Sequence, residues 1–300
     1  MNGLNFNLFG NVKVTRQDDP FEELRIGPLS QSLLAYLLLF PRPHRREELI
    51  DLFWDRNNLD TIRRCLSTTL WRLRGELAGE GNEPYILTAS NGDISFNRKS
   101  QHWLDIAAFE ENAHQGLTRP LAEMTAGEAA ALEDAVQLYV GDLLEGSYAD
   151  WTLSPREYLR SLHLKCLARL MEYYEGQKLY EQSIDFGTRI IALDPLREEI
   201  YRALMRLFYQ TGRREEAVRL YDTCCRLLAK ELHIQPLAET RALHGRIAAA
   251  QELQRDASTD PVAGELTGIH QRLDVVTNNL LTLTDQLERM LRQVQILIDR

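Results

Sequence analysis

Cysteine is scarce in this 300-residue sequence, and the four cysteines present show neither the spacing of a metal site nor that of a disulfide framework. Such sparse use of cysteine favours a reducing compartment. We interpret the adjacent Cys224 and Cys225 as buried helix residues rather than as a redox sensor. The seven histidines have no ligand spacing and no nucleophile to pair with. We therefore expect no metal, no cofactor and no enzymatic activity.

Long apolar runs are also lacking. The longest, residues 33–40, is far too short to span a bilayer, which needs about 20 apolar residues. The N-terminus has no basic region followed by an apolar core, so no signal peptide is expected. We predict a cytoplasmic protein that makes no membrane contact.

The sequence has no excess of positive charge. Its formal net charge is -9, which argues against a protein that coats nucleic acid along its whole surface. Residues 56–74 are an exception, because they contain five arginines and one acid, Asp60. The charge is thus polarised along the chain, and this one segment is locally basic.

The basic segment has the pattern of an amphipathic helix over residues 60–78. Four leucines share one stripe because they follow one another at steps of four, three and four: Leu66, Leu70, Leu73 and Leu77. Thr61, Arg64, Thr68, Trp71 and Gly75 lie on the side facing away from this stripe. Either Asp60 or Thr61 is predicted to cap the start of the helix.

A helix with buried leucines and outward arginine and threonine suits the DNA major groove. We predict that Arg64, Thr68 and Arg72 contact base edges, since arginine pairs with guanine and threonine contacts the thymine methyl group. The predicted phosphate contacts are Arg63, Ser67, Thr69 and Arg74. The alternative interpretation is an ordinary surface helix with solvated arginines.

The segments around this helix are typical of a winged helix-turn-helix, in which strands and three helices precede a hairpin. The predicted elements are a strand or hairpin over 4–14, a short strand near 24–26, helices over 30–40 and 45–54, and hairpin strands over 85–88 and 94–97. The helix over 45–54 is predicted to place Leu49, Leu52, Phe53 and Trp54 inward. Asn91, Arg98 and Lys99 are candidate wing contacts to DNA. Alternatively, the hairpin is an exposed end that contacts nothing.

Residues 103–251 have an all-helical pattern. The predicted helices cover 105–115, 126–139, 155–175, 180–192, 197–211, 214–231 and 237–251. Leu167, Leu170, Met171 and Tyr174 recur 34 residues later as Tyr201, Leu204, Met205 and Phe208. A period of 34 is that of tetratricopeptide units, which stack into a surface that usually binds protein. The alternative is a helical bundle with no partner.

The last part of the chain has the pattern of a coiled coil. Residues 256–264 have the composition of a linker. Beyond them, apolar residues alternate steps of three and four, and this predicts a homo-oligomer. The predicted seam consists of Leu266, Ile269, Leu273, Val276, Leu280, Leu283, Leu287, Met290, Val294 and Leu297. The alternative is a single amphipathic helix packed on the body of the protein.

Several segments, in order, resemble the Streptomyces antibiotic regulatory protein (SARP) type of transcriptional activators. Residues 4–12, 46–54 and 64–74 resemble the first strand, second helix and recognition helix of that family's DNA-binding domain. Residues 139–144, 148–151, 212–221 and 228–236 are similar to its bacterial transcriptional activator domain. The resemblance implies binding to promoter direct repeats and recruitment of RNA polymerase with its sigma factor. No phosphate-binding loop of the G-x-x-x-x-G-K-[ST] type is present, so ATP control is not expected.

The predicted fold class is mainly α with a small β component. The predicted domains are a winged helix-turn-helix over 1–104, a tetratricopeptide-like domain over 105–255, a linker over 256–264 and a coiled-coil helix over 265–300. The predicted function is that of a sequence-specific regulator that binds double-stranded DNA and activates transcription. The alternative is a tetratricopeptide scaffold that uses its winged helix for protein contacts.

Overall fold

The structure is a computed structural model, and it describes residues 3–19, 21–54, 59–79 and 83–257. The chain divides into two compact units, Met1–Gln177 and Lys178–Arg300. In the first unit the elements are β1 (Leu4–Asn7), β2 (Lys13–Arg16), α1 (Pro28–Leu39), α2 (Arg46–Phe53), α3 (Leu59–Leu77), β3 (Ile86–Thr88), β4 (Ile94–Phe96), β5 (His102–Leu104), α4 (Asp105–Leu117), α5 (Ala126–Leu138) and α6 (Asp150–Gly176). In the second they are α7 (Tyr180–Leu193), α8 (Glu198–Gln210), α9 (Arg214–Glu231) and α10 (Ala238–Ala257).

The first unit opens with a three-stranded sheet of order β2-β1-β5. β1 is antiparallel to β2 and parallel to β5, with Leu4 opposite His102. The sequence pattern missed β5, because a three-residue strand shows no periodicity and its pairing partner lies almost a hundred residues away. The predicted strand over 24–26 is wrong. Next to that segment, Glu23 forms only an isolated bridge with Thr15.

The helix-turn-helix follows the predicted plan with three corrections of detail. α3 begins at Leu59, so Asp60 and Thr61 lie in its first turn, and the prediction that one of them caps the helix is wrong. Leu52 is exposed, and Phe53 and Trp54 are only half-buried. α2 has only eight residues, and its face towards the core is occupied by Leu49 and Ile50.

Helices α4 to α6 complete the first unit. α4 and α5 pack closely at Gly116, where an added Cβ would lie 2.3 Å from Cγ of Leu132, so any side chain there would force the helices apart. α5 begins with a capping box in which Thr125 and Glu128 each bond the other's backbone. α6 begins five residues before the predicted start at Pro155, and its first turn includes Trp151.

The 34-residue repeat appears as two sets of core residues. Leu167, Leu170 and Met171 of α6 are buried, and so are Tyr201, Leu204 and Met205 of α8. In the second unit, α8 packs against α7, α9 and α10. The tetratricopeptide-like pattern of helix pairs is therefore confirmed.

The chain beyond α10 is outside the described residues, and this includes the predicted coiled coil and most of the predicted linker. α10 itself continues to Ala257, six residues past its predicted end. Within the ranges that the structure describes, no helix combines the length and apolarity needed to cross a membrane.

Candidate nucleic-acid interface

The leucine stripe holds α3 in the core of the helix-turn-helix. Leu66, Leu70, Leu73 and Leu77 are at most 2% exposed. α1 and α2 pack against this side of the helix. Because the stripe is buried along the whole helix, the opposite side is left facing outward.

The outward side presents the residues that were predicted to contact bases. Arg64, Thr68 and Arg72 are all exposed, and they lie one turn apart along α3. None of the three side chains has a hydrogen bond or an ion pair with any other residue that the structure describes. Two guanidinium groups and a hydroxyl are thus available to a ligand along a single helix face.

Trp71 lies on the same face and was not among the predicted contacts. Its side chain is 74% exposed, which is unusual for an indole ring. Its position opposite the leucine stripe was the available sequence signal. An exposed indole beside two arginines offers apolar contact area to a thymine methyl group or a deoxyribose.

Arg63 and Ser67 lie at the edge of this face and are partly engaged within the protein. Nη1 of Arg63 is 3.9 Å from a carboxylate oxygen of Asp60, and both side chains are largely exposed. The Ser67 hydroxyl donates to the carbonyl of Arg63 at 2.9 Å and accepts from Nη2 of Arg46 at 2.7 Å. Arg46 of α2 therefore joins the set of cations beside α3, a contact that no local sequence pattern could reveal.

Two of the residues that were predicted to contact phosphates do not lie on the exposed face of α3. Thr69 is only 8% exposed and therefore lies on the buried side of α3, away from the exposed face. Nε of Arg74 donates to the carbonyl of Ile86 at 3.2 Å, and its Nη2 donates to the hydroxyl of Thr88 at 2.6 Å. Arg74 thus ties the end of α3 to strand β3 of the wing.

The wing consists of β3 and β4, joined by a tight turn in which Gly92 has a φ of 89°. Asn91 is exposed, but its side chain is bonded to Asp93, both to the backbone N–H and to the carboxylate. The carboxylate of Asp93 opposes a phosphate contact at this turn. Arg98 and Lys99, which follow β4, are exposed and are the better placed of the three predicted wing contacts.

A buried histidine connects the wing to the helices. His44 and Ile94 exchange two backbone hydrogen bonds of 2.8 Å, and a ring nitrogen of His44 lies 2.8 Å from the carbonyl of Phe40. The adjacent Glu48 accepts hydrogen bonds from Arg42, which lowers the pKa of its carboxyl group. These contacts fix β4 against α1 and α2.

An aromatic cluster connects the helix-turn-helix to α6. The ring of Trp151 lies 5.3 Å from that of Tyr36, 6.5 Å from that of Phe40 and 6.1 Å from that of Phe53, in edge-on arrangements. Such aromatic pairs add stability beyond the area that they bury. α1 and α2 are therefore packed against the first turn of α6.

Asp105 connects β1 to α4 from a buried position. Its carboxylate accepts hydrogen bonds from the backbone N–H groups of Leu8 at 2.7 Å, Phe9 at 2.9 Å and Ile106 at 2.7 Å. Burial raises the pKa of Asp105 to about 6, although the three N–H donors act in the opposite direction. The sheet and α4 thus share one buried charged group.

The chain is similar to known proteins over most of its length. Residues 104–248 match the bacterial transcriptional activator domain family. The chain is therefore similar to the SARP type of regulators in this domain. In this chain, the winged helix-turn-helix precedes the matched domain, as the resemblance implied. The family match begins at residue 104, the end of β5. The boundary between the two compact units of the structure lies further along the chain, after Gln177.

The relatives of this chain are regulators by name. It is 28% identical to the regulatory protein AfsR of Streptomyces coelicolor over 266 residues, which cover 88% of this chain and 25% of AfsR. It is 22% identical to the transcriptional regulatory protein MoaR1 of Mycobacterium tuberculosis over 278 residues, or 87% of this chain and 83% of MoaR1. The chain spans about a quarter of the length of the AfsR proteins that it matches.

The fold is similar to that of a solved structure, Mycobacterium tuberculosis EmbR in complex with a low-affinity phosphopeptide. The TM-score is 0.67 at 22% sequence identity, and the match covers 91% of this chain and 72% of the EmbR chain. The order of a winged helix and tetratricopeptide-like helices is thus that of a known fold.

Proposed function

We propose that this chain is a SARP-type regulator that binds DNA sequence-specifically and activates transcription. The observation that supports this most strongly is the outward face of α3, where Arg64, Thr68 and Arg72 are exposed and have no partner among the described residues. The names of the matched relatives support the same function.

In the proposed complex, α3 lies in the major groove. Arg64 and Arg72 donate to guanine edges, and Thr68 and Trp71 make apolar contact with thymine methyl groups. Phosphate contacts come from cations at the border of this face, which are Arg46, Arg63, Arg98 and Lys99. Ser67 orients Arg46, and Arg74 holds the wing in position beside α3.

The partners belong to this proposal as well. The family resemblance supports binding to promoter direct repeats in the cytoplasm and recruitment of RNA polymerase with its sigma factor. The predicted seam over 266–297 supports a homo-oligomer. Linked DNA-binding units would gain affinity for adjacent repeats because the second binding event becomes intramolecular.

Selection of bound sites from a random duplex pool tests the DNA-binding part directly. We expect the intact chain to enrich a short direct repeat, and a version ending at Ala257 to enrich the same half-site with lower affinity. Binding should weaken as salt rises, because each phosphate contact releases counterions. The failure of both versions to enrich any sequence would contradict the proposal.

A second candidate function is a tetratricopeptide scaffold whose winged helix contacts protein. The exposed Trp71 beside arginines favours it, because tryptophan and arginine are the residues most enriched at the centres of protein interfaces. A salt titration against random duplex DNA distinguishes the two functions. A scaffold would show no salt-dependent association with DNA.

A further inference from the structure

The second unit has an open groove that the proposed function does not use. The groove lies between α8 and α10 and has a volume of about 320 Å³. It is lined by Arg206, Tyr209, Gln210, Leu243, Arg246 and Ile247. This volume is at the lower end of the range for ligand pockets, roughly 300 to 1,000 Å³, so the groove is suited to a bulky side chain rather than to a large cofactor.

The base of the groove is apolar. Leu243 and Ile247 are buried beneath it, and the ring of Tyr209 forms an exposed wall. The guanidinium carbon of Arg214 lies 5.2 Å from the centre of that ring, on which it places further positive charge. An apolar or aromatic side chain inserted here would remove the rest of this surface from water.

The rim of the groove is positively charged and has no acidic residue among those that line it. Arg206 and Arg246 are exposed, and their guanidinium groups have no ion pair or hydrogen bond with any residue in the described ranges. Arg202, one turn before Arg206, lies within 4.0 Å of carboxylates of Glu198 and Glu239. In a chain of net charge -9, two unpaired arginines around an apolar base are complementary to carboxylates.

We propose that this groove binds an acidic peptide segment of a partner protein, with one apolar or aromatic side chain between carboxylates. The carboxylates pair with Arg206 and Arg246, and the apolar side chain lies on Leu243 and Ile247. A nucleic-acid backbone is a poorer match, because it offers no side chain to the apolar base. The proposal does not depend on DNA binding by α3.

Fluorescence polarisation with the intact chain tests the proposal. The probe is a short fluorescein-labelled peptide with glutamates on both sides of a central phenylalanine. We expect saturable binding, a loss of about tenfold when serine replaces the phenylalanine, and no binding when lysines replace the glutamates. Arg206→Glu and Arg246→Glu should each weaken binding by about tenfold or more.

Arg241→Glu is the matched control. Arg241 is an exposed arginine on the same helix as Arg246 but does not line the groove. The control should bind the probe as the unchanged chain does. If a charge-reversed variant melts early, Arg206→Gln removes the charge without reversing it and should still weaken binding.

Three results would overturn the proposal. One is the absence of saturable binding by the acidic probe. Another is binding that persists in the Arg206→Glu, Arg246→Glu double variant, since the peptide would then occupy another basic surface such as α3. The third is a random duplex that binds the intact chain and loses affinity in the double variant while the peptide does not bind, which would make the groove a nucleic-acid site.

Discussion

Two arginines of α3 differ from two arginines elsewhere in the chain in what surrounds them. On α3, Arg64 and Arg72 face outward with no partner among the described residues. In the second unit, Arg213 lies 2.9 Å from a carboxylate of Glu181 and 2.5 Å from one of Glu216, and its guanidinium carbon is 4.6 Å from the ring centre of Phe208. The side chains are identical, and only the partners distinguish an arginine that is available to a ligand from one that stabilises the fold.

Arg156 of the first unit is an even clearer example of an arginine that stabilises the fold. Its guanidinium donates to three backbone carbonyls, those of Leu143 at 2.9 Å, Leu144 at 3.0 Å and Ser147 at 2.9 Å. It thereby holds the loop between α5 and α6. Substitutions that separate stability from DNA affinity can test this contrast.

The largest effect is expected at Arg156. Arg156→Ala should lower the free energy of unfolding by about 3–4 kcal/mol, because three charge-assisted hydrogen bonds are lost, although the carbonyl of Leu144 keeps the N–H of Ser147 as a donor. Urea denaturation measures the change. Arg156→Lys should recover only part of it, since an ammonium group cannot match the planar fork. DNA affinity per folded molecule should stay the same, and a loss of affinity in fully folded protein would contradict the contrast.

The next effect concerns the buried charge of Asp105. Because its folded pKa is raised to about 6, its contribution to stability is fully present below the ordinary value of 3.8 and is lost as the pH rises through 6. Asp105→Asn cannot titrate, so the stability of the unchanged chain relative to this variant should fall between pH 4 and pH 6, by up to about 3 kcal/mol. Urea denaturation at several pH values measures the difference. A relative stability that rises with pH would show that the three N–H donors outweigh burial.

Arg72→Ala should act on binding alone. We expect the affinity for the selected site to fall by about 1–3 kcal/mol, with relaxed preference at one base pair, because a bidentate contact to guanine is lost. Stability should change by less than about 0.5 kcal/mol, as for other exposed positions. Mobility-shift titrations on the selected site and its single-base variants measure the preference. Arg241→Ala, also an exposed arginine, is the control and should leave both quantities unchanged.

The smallest effect is expected at Arg63. Arg63→Ala should weaken all sequences alike and make the slope of log affinity against log salt shallower by about 0.9, the value for one phosphate contact. Mobility-shift titrations at several salt concentrations measure the slope. An unchanged slope would mean that Arg63 contacts only Asp60.

Local periodicity predicted most of the helical architecture, because the burial of one face repeats every three or four residues. The leucine stripe of α3 and the 34-residue repeat are confirmed in this way. The wing hairpin was likewise predictable from the turn residues between its strands. Thr69 could also have been placed correctly, since it stands three residues after Leu66 and four before Leu73 and therefore belongs to the buried stripe.

The parts that were missed depend on contacts between distant segments. The pairing of β5 with β1, the bond from Arg46 to Ser67 and the bonds from Arg74 to the wing join residues that share no local pattern. Such contacts also decide which predicted cations are available to DNA. The sequence could therefore nominate candidate residues for DNA contact, but it could not show which of their side chains are already bonded within the protein.

The contacts of Trp151 and Asp105 bear on how this protein can be dissected. A cut after residue 104 would uncover the rings of Tyr36 and Phe53 and leave the backbone N–H groups of Leu8 and Phe9 without an acceptor. The winged helix therefore cannot be moved into another protein as a separate domain that ends at residue 104. Chimeras that exchange DNA-reading specificity should be spliced near residue 177, where the first compact unit ends.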